Sequence, residues 1–330
     1  MNRLALALPL LSIACGGETA STSSIVVDTL PGGIPRTMSS APLEPGRWSL
    51  ELVREIQPDA DAPGELMRPQ SLALADDGSV IVAESRPSQI NFYAPDGSFV
   101  RTIGREGAGP GEFQAAFIAV RGDTLVVQDP SNARLTLIDW RKGSTLATQH
   151  STCCYWAAVG TDQDGRAWLR MMAPLPDSTR PYGQGYIRQP LSGGAADTAF
   201  VYERAGLPKA NYWVLRVGNQ TRMSMPVPLS PQAHYLIEPR GYVLSGWSAE
   251  YSLRVSRNGR DTVAVYGRQW TPGSVTSAER DRLYEEAVAR VASSGERWDA
   301  ATIRNSFDKA AIPSARPAYE FLHSDEAGRR

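Results

Sequence analysis

Three histidines, His150, His234 and His323, are the only imidazoles of the chain, spaced 84 and 89 residues apart. If the chain repeats every forty-odd residues, that spacing would return them to one ring, and convergent imidazoles are what a hydrolytic zinc site requires. The local contexts do not repeat, however. His234 lies seven residues before the turn glycine Gly241, His323 five before Gly328, and His150 fifteen before Gly165. Chance placement is the simpler reading, and no metal is expected. Glu84 and Asp129 end two apolar runs, Val80-Ile81-Val82-Ala83 and Leu125-Val126-Val127-Gln128. A ring of carboxylates holding a cation would need acids at the matching places further on, but Met171 and Gly246 stand there. Capping of backbone N–H groups at the turn that follows is the ordinary role of such acids. Asp76-Asp77 and Asp162-x-Asp164 fall at exposed hairpin turns. There is no Gly-x-Ser-x-Gly elbow and no nucleotide-binding glycine loop, since Gly104–Gly111 leads into a strand-like run, Phe113–Val120. No catalytic group and no cofactor site assembles from these residues, so the chain leans away from enzyme chemistry.

The adjacent pair Cys153-Cys154 has two readings. Neighbouring Cα atoms lie about 3.8 Å apart, short of a relaxed disulfide, so a vicinal bridge would strain the peptide. Two packed thiols beside Tyr155-Trp156 are the alternative. Of the eight tryptophans, Trp156, Trp168, Trp213, Trp247, Trp270 and Trp298 could serve as stacking platforms, although most are expected in the core. The net charge of −1 offers no field for nucleic acid or anionic membrane. Arginine far outnumbers lysine, which occurs only at positions 142, 209 and 309, and the arginines are scattered rather than clustered.

These residues must be held by short strands. Pro63–Thr102 is repeated with drift at Pro110–Thr148: Pro63-Gly64-Glu65 answers to Pro110-Gly111-Glu112, and Ile90-Asn91-Phe92 to Leu135-Thr136-Leu137. A period in the forties with several strands per unit is that of a β-propeller blade. Hairpin turns at Asp76-Asp77-Gly78 and Pro95-Asp96-Gly97 divide the first unit. The second, within Pro110–Thr148, has Arg121-Gly122-Asp123 and Lys142-Gly143 in the same places. A third is announced by Asp164-Gly165 and carries a polar insertion at Pro174–Gln184. A fourth runs from His234 to Tyr266, and Trp213–Val217 reads as an extra strand. Trp48–Ile56 alternates like a half-buried strand. The period changes at Thr276-Ser277-Ala278-Glu279, a capping box. A helical insertion at 276–310 is predicted, with Leu283, Ala287, Val288 and Val291 on its apolar face. Ala318–Leu322 restarts the strands, as the opening of a fifth blade.

Two resemblances add to this. Arg3, the apolar Leu4–Leu11 and Ser12-Ile13-Ala14-Cys15 resemble a bacterial lipoprotein signal, with Ser12 where a leucine is usual. Such a signal implies residues 1–15 as leader through a lipidated Cys15, and 16–45 as flexible tether with Ile25–Val27 a strand candidate and Pro31-Gly32-Gly33 a break. A secretory leader cleaved near Ala14 is the other reading. Gly107-Ala108-Gly109-Pro110-Gly111-Glu112-Phe113 resembles the junction of NHL repeats, in the manner of bacterial six-bladed propeller lipoproteins. The resemblance implies an all-β, NHL-like propeller over 46–330, of six-bladed type and incomplete at the C-terminus, as in a truncated product. It implies a structural blade junction at Gly107, Gly109, Pro110, Gly111, Glu112 and Phe113.

The expected function is a non-catalytic binding or scaffold module, exported and lipid-anchored at the cell envelope (periplasm or outer membrane), recognising a protein, peptide or glycan. A metal-dependent lactonase-like hydrolase or lyase, and the ectodomain of a signalling system, are the rivals. No nucleic-acid partner is expected.

Overall fold

The computed structural model describes residues 24–40, 51–151, 159–174, 182–201, 211–217, 220–259, 261–293, 298–320 and 322. Its strands follow from the turn chemistry. Gly78 and Gly97 adopt φ of +86° and +90°, a region that costs glycine nothing. Asp77 and Asp96 each accept the N–H two residues on, Ser79 and Ser98, at 2.9 Å. Each hairpin then closes onto apolar, β-branched strands.

The chain opens with a hairpin, β1 (Ile25–Leu30) and β2 (Ile34–Ser39). The first four-stranded antiparallel sheet contains β3 (Pro69–Leu74), β4 (Val80–Ser85), β5 (Ser88–Tyr93) and β6 (Phe99–Ile103). The second has β7 (Phe117–Arg121), β8 (Thr124–Asp129), β9 (Arg134–Asp139) and β10 (Ser144–His150). The third has β11 (Gly160–Thr161), β12 (Arg166–Pro174), β13 (Tyr182–Pro190) and β14 (Asp197–Val201). A separate hairpin follows, β15 (Tyr212–Val217) with β16 (Gln220–Pro226). The fourth sheet holds β17 (Ala233–Ile237), β18 (Val243–Trp247), β19 (Ser252–Ser256) and β20 (Ala264–Arg268). Four successive meanders of this kind, stacked face to face, are β-propeller architecture, and the fold is all-β.

Alternation along each strand divides its side chains between two seams. In β8, Leu125 and Val127 join Ile81, Ala83, Phe92 and Phe113 against the first sheet. Val126 faces the other way, toward Val159, Ala167 and Leu169 of the third. Trp168 then turns to Tyr186, Ala199 and Val243 at the seam with the fourth. The inner strands are also stitched: Ile118 N–H donates to Ser71 Oγ at 3.0 Å, and Gln70 Nε2 donates to the Ala116 carbonyl at 2.8 Å.

The helical insertion forms as read. Thr276 caps α1 (Ser277–Ala292) by accepting the Glu279 N–H at 3.2 Å. Glu279 does not reach back to complete the box but pairs with Arg316 at 2.6 Å. Asp299 caps α2 (Ala300–Ser306). Tyr284, Ala287, Val288 and Val291 of α1 pack with Ile303, Phe307 and Trp213, so the helices cover the β15–β16 hairpin.

Three expectations are corrected. The stretch read as a tether over 16–45 contains strand at Ile25–Ser39, where β2 pairs in parallel with β20 (Arg36 opposite Val265) and widens the fourth sheet to six strands. Residues 51–56 are not strand, and Leu52 and Val53 are 78% and 92% exposed. Alternation is present there, but no described strand pairs with it. Ile56 and Leu66 instead cover Val80, Val82 and Tyr93 on the outer face of the first sheet. Ala318–Glu320 is not strand either: the Ala318 N–H donates to the Ser248 carbonyl, and Tyr319 packs on His234 and Tyr251. Tyr319 fits because residue 246 is glycine; a Cβ there would lie 2.2 Å from the Tyr319 hydroxyl oxygen.

The turn after β19 supplies a pH-dependent staple. Burial alone would push the Asp261 carboxyl up. Hydrogen bonds from Arg257, Ser256 and the Arg257 and Asn258 N–H groups outweigh it and hold the carboxyl at about 2, below its ordinary 3.8. Its contribution is therefore complete above about pH 4 and lost as the pH falls toward 2. Asp261→Asn should lower stability by roughly 2 kcal/mol at pH 7 and by much less at pH 2. Urea titrations at the two pH values check this, and a pH-independent difference would refute the staple.

Candidate binding face

Second-to-third-strand turns and sheet-to-sheet connections share one side of the stack, and the sequence motifs lie there. Gly104 and Gly107 have φ of +81° and +153°, and a Cβ on them would lie 2.5 Å from the Phe113 ring and 2.2 Å from a Glu112 carboxylate oxygen. These close approaches let the connection fold tightly. Glu112 accepts the Gly109 N–H at 2.7 Å and pairs with Arg105 at 2.8 Å; both hold its carboxyl below the usual range, the backbone bond contributing most. Pro110 and Gly111 form the turn between them, and the Gly111 φ is +74°. Phe113 is buried in the first seam.

The loop is then clamped by the next sheet. Arg134 Nη1 donates to the Ala108 and Gly109 carbonyls at 3.2 and 3.1 Å, and Asn132 Nδ2 donates to the Gly107 carbonyl at 2.9 Å. Asp129, 1% exposed, accepts the N–H groups of Gln114 and Ala115 and the Asn132 side chain at 3.0, 3.2 and 2.7 Å. Glu84 is fully buried and accepts the Arg68 N–H at 2.5 Å. Both acids thus hold the connection entering their own sheet; only Asp129 also reaches the turn that follows it, through the Asn132 N–H. Asn132 is the residue sequence reasoning missed. Its signal was local, three residues after the acid at the end of a capped turn.

Third-sheet strands run longer. β12 and β13 have nine residues each, whereas β4, β5, β8 and β9 have six. Three extra residues carry this hairpin about 10 Å further, ending at the Pro174–Tyr182 pair. Beside it, on the facing surface of the fourth sheet, a cleft is lined by Tyr235, Ser245, Trp247, Glu250, Ser252 and Arg254. Trp247 belongs here, whereas Trp168, Trp213 and Trp140 are core. The lining brings two aromatic rings, one acid and one guanidinium together on one surface.

The two described histidines, His150 and His234, do not meet. His150 is exposed at the end of β10, an outermost strand, while His234 lies on β17, an innermost one, its ring centroid 5.3 Å from that of Tyr319. Burial lowers the His234 pKa below its ordinary 6.5. Among the described residues no three His, Cys, Asp or Glu side chains gather as a metal site would require. His323, Cys15, Cys153 and Cys154 lie outside the described residues, as does most of the Pro174–Gln184 insertion.

No protein-family profile and no curated protein matches this chain. Among solved structures, it is similar to a protein of Bacteroides fragilis described as exported (11% identity, TM-score 0.39, covering 71% of this chain and 62% of that one). It is also similar to a DUF4221-family member of Bacteroides vulgatus (12%, 0.38, 63% and 59%). A third is a catalytically inactive virginiamycin B lyase of Staphylococcus aureus with quinupristin (11%, 0.34, 63% and 57%). The chain thus spans about three-fifths of the length of the structures it matches. No described helix is long and apolar enough to cross a membrane.

Proposed function

We propose that this protein is a non-catalytic binding module, an NHL-like propeller exported and anchored to the cell envelope through lipid on Cys15, that recognises a protein, peptide or glycan. The observation that carries this reading is the β12–β13 arm rising beside the Tyr235–Trp247 cleft. It is a projecting hairpin on a rigid stack, next to an aromatic and charged surface, and such loops are where recognition residues concentrate. Three of the acids have structural partners. Asp129, Glu112 and Asp162 hold backbone N–H groups, the half-buried Arg166 guanidinium or the buried Trp168 indole.

Proximity labelling from envelope extracts, with the intact chain and with one whose residues 175–181 are replaced by a two-residue turn, tests the site. Partners lost from the shortened chain identify the arm as the recognition element; identical partner sets overturn that assignment. Stoichiometric zinc or calcium with lactonase or esterase turnover would overturn the binding reading. For the anchor, Cys15→Ser should move the protein from the membrane to the soluble fraction without changing its circular dichroism. A wild type already soluble would refute lipidation.

A further inference from the structure

The β1–β2 hairpin is attached to the rim of the fourth sheet and carries apolar surface that the other described residues leave open. Ile25, Val26 and Val27 are 55%, 56% and 68% exposed. Successive residues of a strand point to opposite faces, so three in a row mean that both faces of this edge strand are bare. Its charges do not oppose an apolar environment: Asp28 and Arg36 pair across the hairpin, Arg36 Nε donating to Asp28 Oδ1 at 2.8 Å. Nor does the hairpin swing freely. β2 is in register with β20 from Arg36 opposite Val265 to Ser39 opposite Arg268, and the Met38 sulfur lies 2.7 Å from where a Gly267 Cβ would stand.

Resting on the reading of Cys15 as the lipidated residue, we propose that β1 lies against the lipid surface and that Ile25, Val26 and Val27 enter the headgroup–acyl boundary as a second membrane contact. The chain between the anchor and this strand decides the occupant. Nine residues lie between Cys15 and Ile25, and the ten steps from one to the other reach at most about 36 Å when fully extended. A lipid on Cys15 therefore keeps the bare strand within that distance of the bilayer, where apolar side chains add to the hold of the acyl chains. β1 is the outer edge strand of its six-stranded sheet, beyond β2 and β20, so the contact would be made by the rim. Both ends of the propeller, including the arm and cleft, would stand clear of the membrane.

The test uses the full lipidated chain in phosphatidylethanolamine–phosphatidylglycerol vesicles doped with a diazirine-tagged phospholipid, followed by illumination and peptide mass spectrometry. Label is expected on the peptide containing residues 25–30. It should fall about fivefold when Ile25, Val26 and Val27 are all replaced by threonine, which keeps the β-branched shape and leaves circular dichroism unchanged. A membrane-bound wild type with no label on this peptide would overturn the contact and leave the anchor standing. A wild type that fractionates as soluble would overturn both. Pairing of β1 with a second copy, seen as a doubled mass in detergent with β1 unlabelled, would overturn the contact in favour of a dimer.

Discussion

Trp168→Ala is expected to lower stability by about 3–5 kcal/mol, the range for truncating a buried tryptophan. Trp168 is 1% exposed and closes the seam between the third and fourth sheets. Its ring meets Tyr186 edge-on at 6.0 Å, and its Nε1 donates to Asp162 Oδ2 at 2.7 Å. Truncation therefore opens a cavity and also strips one partner from a carboxylate that Arg166 must then satisfy alone. The midpoint of urea unfolding, followed by tryptophan fluorescence and by circular dichroism, measures the loss. Trp168→Phe should recover much of it, because the apolar contact returns and the N–H does not. An alanine variant within 1 kcal/mol of wild type would mean that the seam collapses around the gap and does not depend on this ring.

Asp129→Ala should cost about 3–4 kcal/mol, since it leaves a buried cluster of donors without an acceptor. The Gln114, Ala115 and Asn132 N–H groups and the Asn132 amide converge on one carboxylate, with Arg134 at 4.0 Å. The loop from Gly104 to Phe113 should loosen with it, because Asn132 and Arg134 clamp that loop from the same turn. Hydrogen exchange at Gly107, Gly109 and Glu112 would read this directly. Glu84→Ala is the internal comparison. Glu84 holds a single backbone donor, that of Arg68, so its removal should cost roughly 1–2 kcal/mol. Equal losses at the two positions would show that the acids act through charge and not through their donors.

Much of the fold could be read from local patterns. The strands of the first two sheets, the Asp-Gly turns, the Thr276 cap and the apolar face of α1 all depend on residues within a few positions of one another. Their physics is complete inside each repeat. The candidate face was legible in part. The Gly107–Phe113 loop and the acids at 84 and 129 stood out as motifs, but the donors that the acids accept did not. Those donors belong to the connection into each sheet, 14 to 16 residues away. The cleft was not legible, because Tyr235, Ser245 and Arg254 are neighbours only across a sheet register.

The failures share one cause. Alternating apolar residues at 48–56 and 318–322 read as strands, yet a strand needs a partner as well as a pattern, and no described strand pairs with residues 51–56 or 318–320. The opposite occurred at Ile25–Ser39, where a segment read mostly as tether found a sheet edge more than two hundred residues away, at β20. The sequence by itself determined the period, the turns, the caps and which side chains would be apolar. Only the tertiary structure decided which edges pair, which seam each tryptophan enters, and where Tyr319 comes to rest. Backbone pairing is open to any extended segment, and the choice among segments is made by shape and burial between parts of the chain that the sequence holds far apart.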